Sequence, residues 1–131
     1  MTALVDDLLN LLRGHPLVQS VRVVNYDETP AGKLELKIRC RLSKGYQLQV
    51  WLHHEPTFQD YAYQLFTDRP ILRWDNAPHY PHVSTAPHHF HNEVGQVGES
   101  PLSGEPLKDL EDVLAEIEKW LSRSIASHPT K

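Results

Sequence analysis

One cysteine, Cys40, is all the chain carries. That excludes a disulfide framework and any zinc site built on cysteine pairs. A lone thiol among alternating apolar residues reads as a core group suited to a reducing compartment. No apolar run approaches the roughly 20 residues needed to cross a bilayer. The first helix-like stretch, Leu4 to Leu12, carries Asp6 and Asp7 and lacks the basic start and small-residue cleavage site of a secretory signal. A soluble cytoplasmic protein with no membrane partner is therefore expected. An excess of positive charge is missing too: the formal net charge is −4, which argues mildly against a nucleic-acid partner. The distribution weakens that objection, since nine Lys/Arg face six Asp/Glu between Arg13 and Arg73, and seven acids face four bases from Glu99 onward. A basic middle followed by an acidic end leaves room for one positive face.

What the chain has in unusual number is histidine and proline, nine and ten in total, with five of each between Pro70 and Pro101. At 131 residues the chain is read as one domain, residues 1–131, long enough to bury a core without staples. Residues 2–13 read as a short helix with Leu4, Leu8, Leu11 and Val5, Leu9, Leu12 as an apolar stripe, ended by Gly14 and Pro16. Val18 to Tyr26 reads as a strand and Asp27 to Gly32 as its turn. The alternation from Lys33 to Leu42 is strict, with Leu34, Leu36, Ile38, Cys40 and Leu42 on one face. Ser43, Lys44 and Gly45 form a hairpin loop, and the return strand puts Tyr46, Leu48, Val50 and Leu52 on the same apolar face. In that register Lys37 lies opposite Trp51 and Glu35 opposite His53. Further strands are expected at Tyr61 to Thr67 and Ile71 to Asp75, followed by a long His/Pro-rich loop at about 76–104. Loops longer than about 15 residues in a compact domain are usually functional or disordered. Leu107, Leu110, Leu114, Ile117, Leu121 and Ile125 then mark a C-terminal helix from Pro106, and Ala126 to Lys131 is a tail. The expected fold is α+β: an antiparallel meander sheet of four to five strands, with an N-terminal and a C-terminal helix packed on one face.

Two surfaces can carry function. The open face of the hairpin presents Lys37, Arg39, Arg41, Gln47, Gln49, Trp51 and His53. Alternating charges on a half-exposed strand are commonly just solvated, but a tryptophan among cations also suits base stacking or a protein interface. The second surface is the segment Arg73-Trp-Asp-Asn-Ala-Pro-His79-Tyr-Pro-His82-Val-Ser-Thr-Ala-Pro-His88-His89-Phe-His91. Its histidines titrate near neutrality, so two can act as general base and acid in metal-free phosphodiester cleavage, with Arg73 steadying the phosphate. Alternatively His89 and His91, with His79 or His82, hold a divalent metal. The plainest reading makes them solvated or packing residues of a loop. Asp75 either orients a histidine or simply pairs with Arg73, and Trp120, off the centre of its stripe, marks a candidate interface.

The run Arg73-Trp-Asp-Asn-Ala-Pro-His79, then Ser84-Thr85, then Pro87-His88-His89 and His91, resembles the signature of the TumE family of bacterial toxin–antitoxin proteins. It differs at His82, where an acidic residue is more usual, and at Phe90, where a lysine is common. The resemblance implies the toxin component of a type II system, encoded beside a cognate antitoxin, itself expected to bind DNA, that binds and silences it. It leaves the reaction to the residues. The leading expectation is a metal-independent endoribonuclease without a cofactor, with Arg73, Asp75, His79, His88, His89 and His91 as catalytic residues and Lys37, Arg39, Arg41 and Trp51 holding RNA. A second copy of the chain is an allowed partner. The layout is also that of ribosome-dependent ribonuclease toxins, a fold-level analogy. The alternatives are a metal- or partner-binding regulatory module using the histidine-rich loop, and a metal-dependent nuclease.

Overall fold

The computed structural model describes residues 2–127, with side chains as far as residue 124. Helix α1 (Ala3–Gly14) buries Val5, Leu8, Leu9 and Leu12, the expected stripe. Its chain direction then reverses at His15 and Pro16, whose missing N–H cannot extend the helix. The strands follow as β1 (Val18–Glu28), β2 (Leu34–Leu42), β3 (Gln47–Glu55), β4 (Phe58–Phe66), β5 (Pro70–Asp75), β6 (His89–His91) and β7 (Val97–Gly98), and helix α2 (Pro106–Ser127) closes the chain. The strands form one sheet in chain order, antiparallel throughout. The α+β meander is thus as expected, but with seven strands rather than four to five. The added strands β6 and β7 lie inside the stretch read as loop, since three and two residues are too few to show a period of two. The tail expected from Ala126 is helical to Ser127, and from His128 onward it lies outside the described residues.

The hairpin register is the one the alternation dictates, with Lys37 opposite Trp51 and Glu35 opposite His53. The tight turn between β2 and β3 runs through left-handed backbone at both Lys44 (φ 66°) and Gly45 (φ 82°), the second at no steric cost because glycine has no Cβ. Leu34, Leu36, Ile38, Cys40 and Leu42 face the helices, joined by Leu48, Val50 and Leu52 from β3, Tyr61, Tyr63 and Leu65 from β4, and Leu72 and Trp74 from β5. Against them pack the α1 stripe and Leu110, Val113, Leu114, Ile117 and Leu121 of α2. Each such leucine, removed from water, contributes about 1.5–3 kcal/mol. Cys40 is one of these groups, and burial pushes its thiol up to about 12, which leaves it unreactive. The offset Trp120 has partners within the chain: its ring meets Tyr46 edge-on at 5.7 Å and its Nε1 donates to Glu93 at 3.2 Å.

The entry to α2 is fixed by Asp109, whose carboxylate is fully buried. One oxygen accepts from the Ser103 N–H (3.0 Å), and the other from the Gly104 N–H (2.8 Å). Gly104 sits at φ 95°, and a Cβ there would meet the His88 ring at 3.7 Å. The carboxylate therefore holds the loop that backs His88. Asp109→Ala is expected to lower unfolding stability by about 2–4 kcal/mol, because two part-buried backbone N–H groups lose a charged acceptor. Denaturant unfolding of the variant against the parent checks this, and an unchanged midpoint would remove Asp109 from the framework.

Candidate functional site

The period-two alternation that sends Leu72 and Trp74 toward the helices sends Arg73 and Asp75 to the opposite, open face of β5. β6 pairs with β5 so that Arg73 stands opposite His91 and Asp75 opposite His89. Four of the expected catalytic residues therefore meet on one face. Asp75 is their centre and is 5% exposed. Its Oδ2 accepts from Arg73 Nε at 2.8 Å and lies 3.5 Å from His91 Nε2, while its Oδ1 lies 2.9 Å from His89 Nε2. The Ala77 N–H adds a further bond to Oδ1 at 3.0 Å, an Asx turn that ends the strand. Asp75 thus pairs with Arg73 and orients histidines at once, where the sequence left the two roles as alternatives.

The two histidines differ. His89 is 1% exposed, and its Nδ1 donates to the Pro87 carbonyl at 3.0 Å while Nε2 faces the carboxylate. Both ring nitrogens face oxygens of the protein, so neither is free for a substrate. His91 keeps 26% of its side chain exposed. With Nε2 directed to Asp75, its Nδ1 is the free ring nitrogen at the surface. Burial holds its proton affinity below that of an ordinary histidine, and the nearby positive charges of His89 and Arg73 act in the same direction against the opposing pull of Asp75. At neutral pH His91 is consequently a neutral imidazole with a lone pair to offer.

The remaining histidines lie elsewhere. His88, next in sequence to His89, is on the helix side of the sheet, where its ring stacks on Tyr61 at 5.8 Å and its Nδ1 is hydrogen-bonded to the tyrosine hydroxyl at 2.7 Å. His79 is exposed on the turn after Ala77, and His82 is exposed with its ring 6.3 Å from Tyr80. Phe90 also faces the helix side, 5.0 Å from Trp74, so a lysine at that position would not reach the Asp75 cluster.

Several motif residues turn out to build the scaffold. The Asn76 side chain donates to the Gln59 carbonyl (2.8 Å) and accepts from the Tyr61 N–H (3.0 Å), continuing the edge of β4 where β5 has ended. The Thr85 hydroxyl donates to the His88 carbonyl (2.7 Å) and accepts from the Ser100 N–H (3.1 Å). Two contributors escaped the sequence reading. Gln64 accepts from Arg73 Nη1 at 3.0 Å and holds the guanidinium in the plane of the face. Tyr80 lies against His89 (4.6 Å between ring centres) and His91 (5.6 Å). Gln64 was legible only through the β4–β5 register, and Tyr80 only as an aromatic within the histidine segment.

The basic face continues from this cluster. Arg22, Arg39, Gln49, Gln64, Arg73 and His91 are successive cross-strand partners from β1 to β6. Arg39 donates to Gln49 at 2.8 Å and rests over Phe66 at 5.9 Å. Arg22, Arg39 and Arg41 line one depression of about 370 Å³ with Ser20 and Gln47. Lys37 and Trp51 stand side by side one rung away. All four expected RNA-holding residues thus share the face that carries Asp75.

Asp75, His89 and His91 also present ligand atoms within 4.8 Å of one another, a two-histidine, one-carboxylate set able to hold a divalent ion. His79 and His82 are not part of it. In this arrangement the three groups satisfy one another, and the Arg73 guanidinium occupies one side of the carboxylate.

Searches of curated proteins and of solved structures each found no match. The family model described as Toxin TumE matches residues 7–121, from Asp7 within α1 through the whole sheet to Leu121 of α2. With the Arg73-to-His91 signature gathered around Asp75 and the match covering most of its length, the chain belongs to the TumE toxin family.

Proposed function

We propose that this toxin is a metal-independent endoribonuclease, held inactive by an antitoxin encoded beside it. The observation that carries the reading is a neutral, half-exposed His91 set between a buried carboxylate and an arginine, on a sheet face lined with cations. His91 Nδ1 takes the proton from a ribose 2′-hydroxyl, whose oxygen attacks the adjacent phosphorus. Arg73, fixed by Asp75 and Gln64, offers its outward N–H groups to the phosphate oxygens as charge accumulates. The 5′-oxygen leaves with a proton from a second histidine, which we assign to His79, four residues beyond Asp75 and exposed to solvent. A 2′,3′-cyclic phosphate remains. Asp75 and His89 are positioning residues in this scheme, since His89 has no free ring nitrogen. Lys37, Arg39, Arg41 and Trp51 bind the strand. Among the described residues these cations and Arg22 form no ion pair with an acid, which leaves their charge available to phosphates.

Cleavage through His91 predicts a loss of about 10²–10⁴-fold in RNA cleavage for His91→Ala and a loss of similar order for Arg73→Ala, each measured on protein shown to be folded, since both side chains contact the buried Asp75 carboxylate. Induction in a bacterial host, followed by growth and total RNA, reads this out. Intact RNA beside an arrested wild-type culture would refute the nuclease assignment. Asp75→Ala and His89→Ala belong to a different class, because each strands a buried partner and should cost about 3–5 kcal/mol of stability.

The pH dependence follows from the state His91 must hold. The base works only when unprotonated, and its proton affinity lies below the ordinary value of 6.5. The acid limb of kcat/KM is therefore expected below pH 6.5, with activity falling as pH drops through it. A limb at or above 6.5 would point to another base.

The ligand cluster supports a second reading, a metal-dependent nuclease at the same residues. The two separate cleanly: the metal-free scheme predicts full cleavage in excess EDTA. Loss in EDTA with recovery on adding zinc or manganese, and metal found by elemental analysis of untagged protein, would favour the second.

A further inference from the structure

We propose that the cleft between Trp51 and Arg73 is a guanine-binding subsite that selects the base beside the phosphate to be cleaved. This rests on the ribonuclease reading above and adds a substrate preference to it. Trp51, Ala62 and Asp75 are successive partners across β3, β4 and β5. Between the large indole and the carboxylate cluster the sheet thus offers only a methyl group. The adjoining cleft holds about 210 Å³ and is lined by Trp51, Asp60, Arg73, Asp75, Ala77 and Pro78. That is smaller than the roughly 300–1,000 Å³ of pockets for drug-sized ligands and suits one planar heterocycle. Its end at Arg73 and Asp75 is the proposed chemical site, so a base lodged there keeps its own phosphate within the site's reach.

The walls specify which base. An indole provides a stacking surface that accepts any of them. The polar lining decides between them. Asn76 is committed at both ends of its amide to Tyr61 and Gln59, Asp75 is engaged by its own neighbours, and Arg73 gives Nε and Nη1 to Asp75 and Gln64, its remaining N–H groups being those offered to the phosphate. Asp60 is different: its side chain is 47% exposed, and it faces His53 Nδ1 at 4.0 Å, beyond hydrogen-bond reach. An ionised carboxylate only accepts. Guanine alone offers adjacent donors, N1–H and N2–H, to match its two oxygens. Adenine and cytosine place a ring acceptor next to their amino group, and uracil flanks its N3–H with carbonyls. The cleft therefore favours guanine by the rule that governs paired contacts to a base edge.

The test is calorimetric titration of the full chain with the 3′-monophosphates of guanosine, adenosine, cytidine and uridine, alongside mapping of cleavage positions on a mixed-sequence RNA. We expect guanosine monophosphate to bind about 10- to 100-fold tighter than the others. Asp60→Asn should erase that preference while leaving the weak binding of the other three in place. Trp51→Ala should weaken all four together. Each variant is first shown to unfold like the parent. Equal binding of the four nucleotides, or a guanosine preference that survives Asp60→Asn, would overturn the subsite. Cleavage without regard to base, unchanged in Asp60→Asn, removes the subsite and leaves the ribonuclease standing. Asp60-dependent guanosine binding without cleavage keeps the subsite and removes the ribonuclease.

Discussion

The buried carboxylate of Asp75 is the constraint on which the rest of the site depends. A charge at 5% exposure is tolerable only when its lone pairs are all engaged, and here the engagement assembles the site. Arg73 comes from the same strand, His89 and His91 from β6, and the Ala77 N–H from the turn that ends β5. β6 has three residues, too short to hold its place by ladder bonds alone. Two imidazoles tied to one carboxylate supply what its length does not. The neutrality and orientation of His91 follow from the same bonds. Within such a network the members strengthen one another, and the loss of one leaves the others exposed to a penalty larger than the bond removed. Among the described residues no buried polar side-chain atom is without a partner, so the site is closed around Asp75 before any substrate arrives.

The sheet separates this polar network from the hydrophobic core by alternation alone. On β5, Leu72 and Trp74 face the helices while Arg73 and Asp75 face out, and on β6 Phe90 meets Trp74 while His89 and His91 meet Asp75. Neighbours in sequence therefore have opposite fates. His88 and His89 look alike as letters, yet the first is a hydrogen-bond partner of Tyr61 beneath the sheet and the second sits against the Asp75 carboxylate above it. The conformation of the segment between Pro87 and His89 decides this, and no pattern of residue types reveals it.

That contrast sets how much was legible. The β2–β3 hairpin was readable to the residue, because ten strictly alternating positions from Lys33 and a short glycine-containing loop leave one register that buries Leu34 to Leu42 together. The helices were readable from their stripes. β6 and β7 were not, because His-Phe-His and Val-Gly carry no period and are strands only through their partners. The cluster was readable as a list of residues but not as an arrangement: Asp75 could be placed beside Arg73 on one strand face, whereas its contacts with His89 and His91 depend on a strand pairing across thirteen intervening positions. Gln64 and Tyr80 had no signal of their own, since a glutamine on a strand and an aromatic in a loop are ordinary surface and packing residues.

The net charge of −4 loses its force as an objection to RNA once the faces are separated. The acids Glu111, Asp112, Glu116 and Glu118 of the C-terminal part lie on α2, which covers the apolar side of the sheet. The cations Arg22, Lys37, Arg39, Arg41 and Arg73 stand on the side that α2 leaves open. From Arg39 to His91 the rung crosses four strand spacings, about 19 Å at the usual separation. The sheet and the hydrophobic core beneath it lie between the α2 acids and the open face. A phosphate backbone approaching the open face meets the arginines before it meets the glutamates of α2. What governs association is that local field, which attracts an anion to one side of the molecule and repels it from the other. The same asymmetry orients the strand on arrival, because the cationic rung runs directly into the cluster where His91 and Arg73 wait.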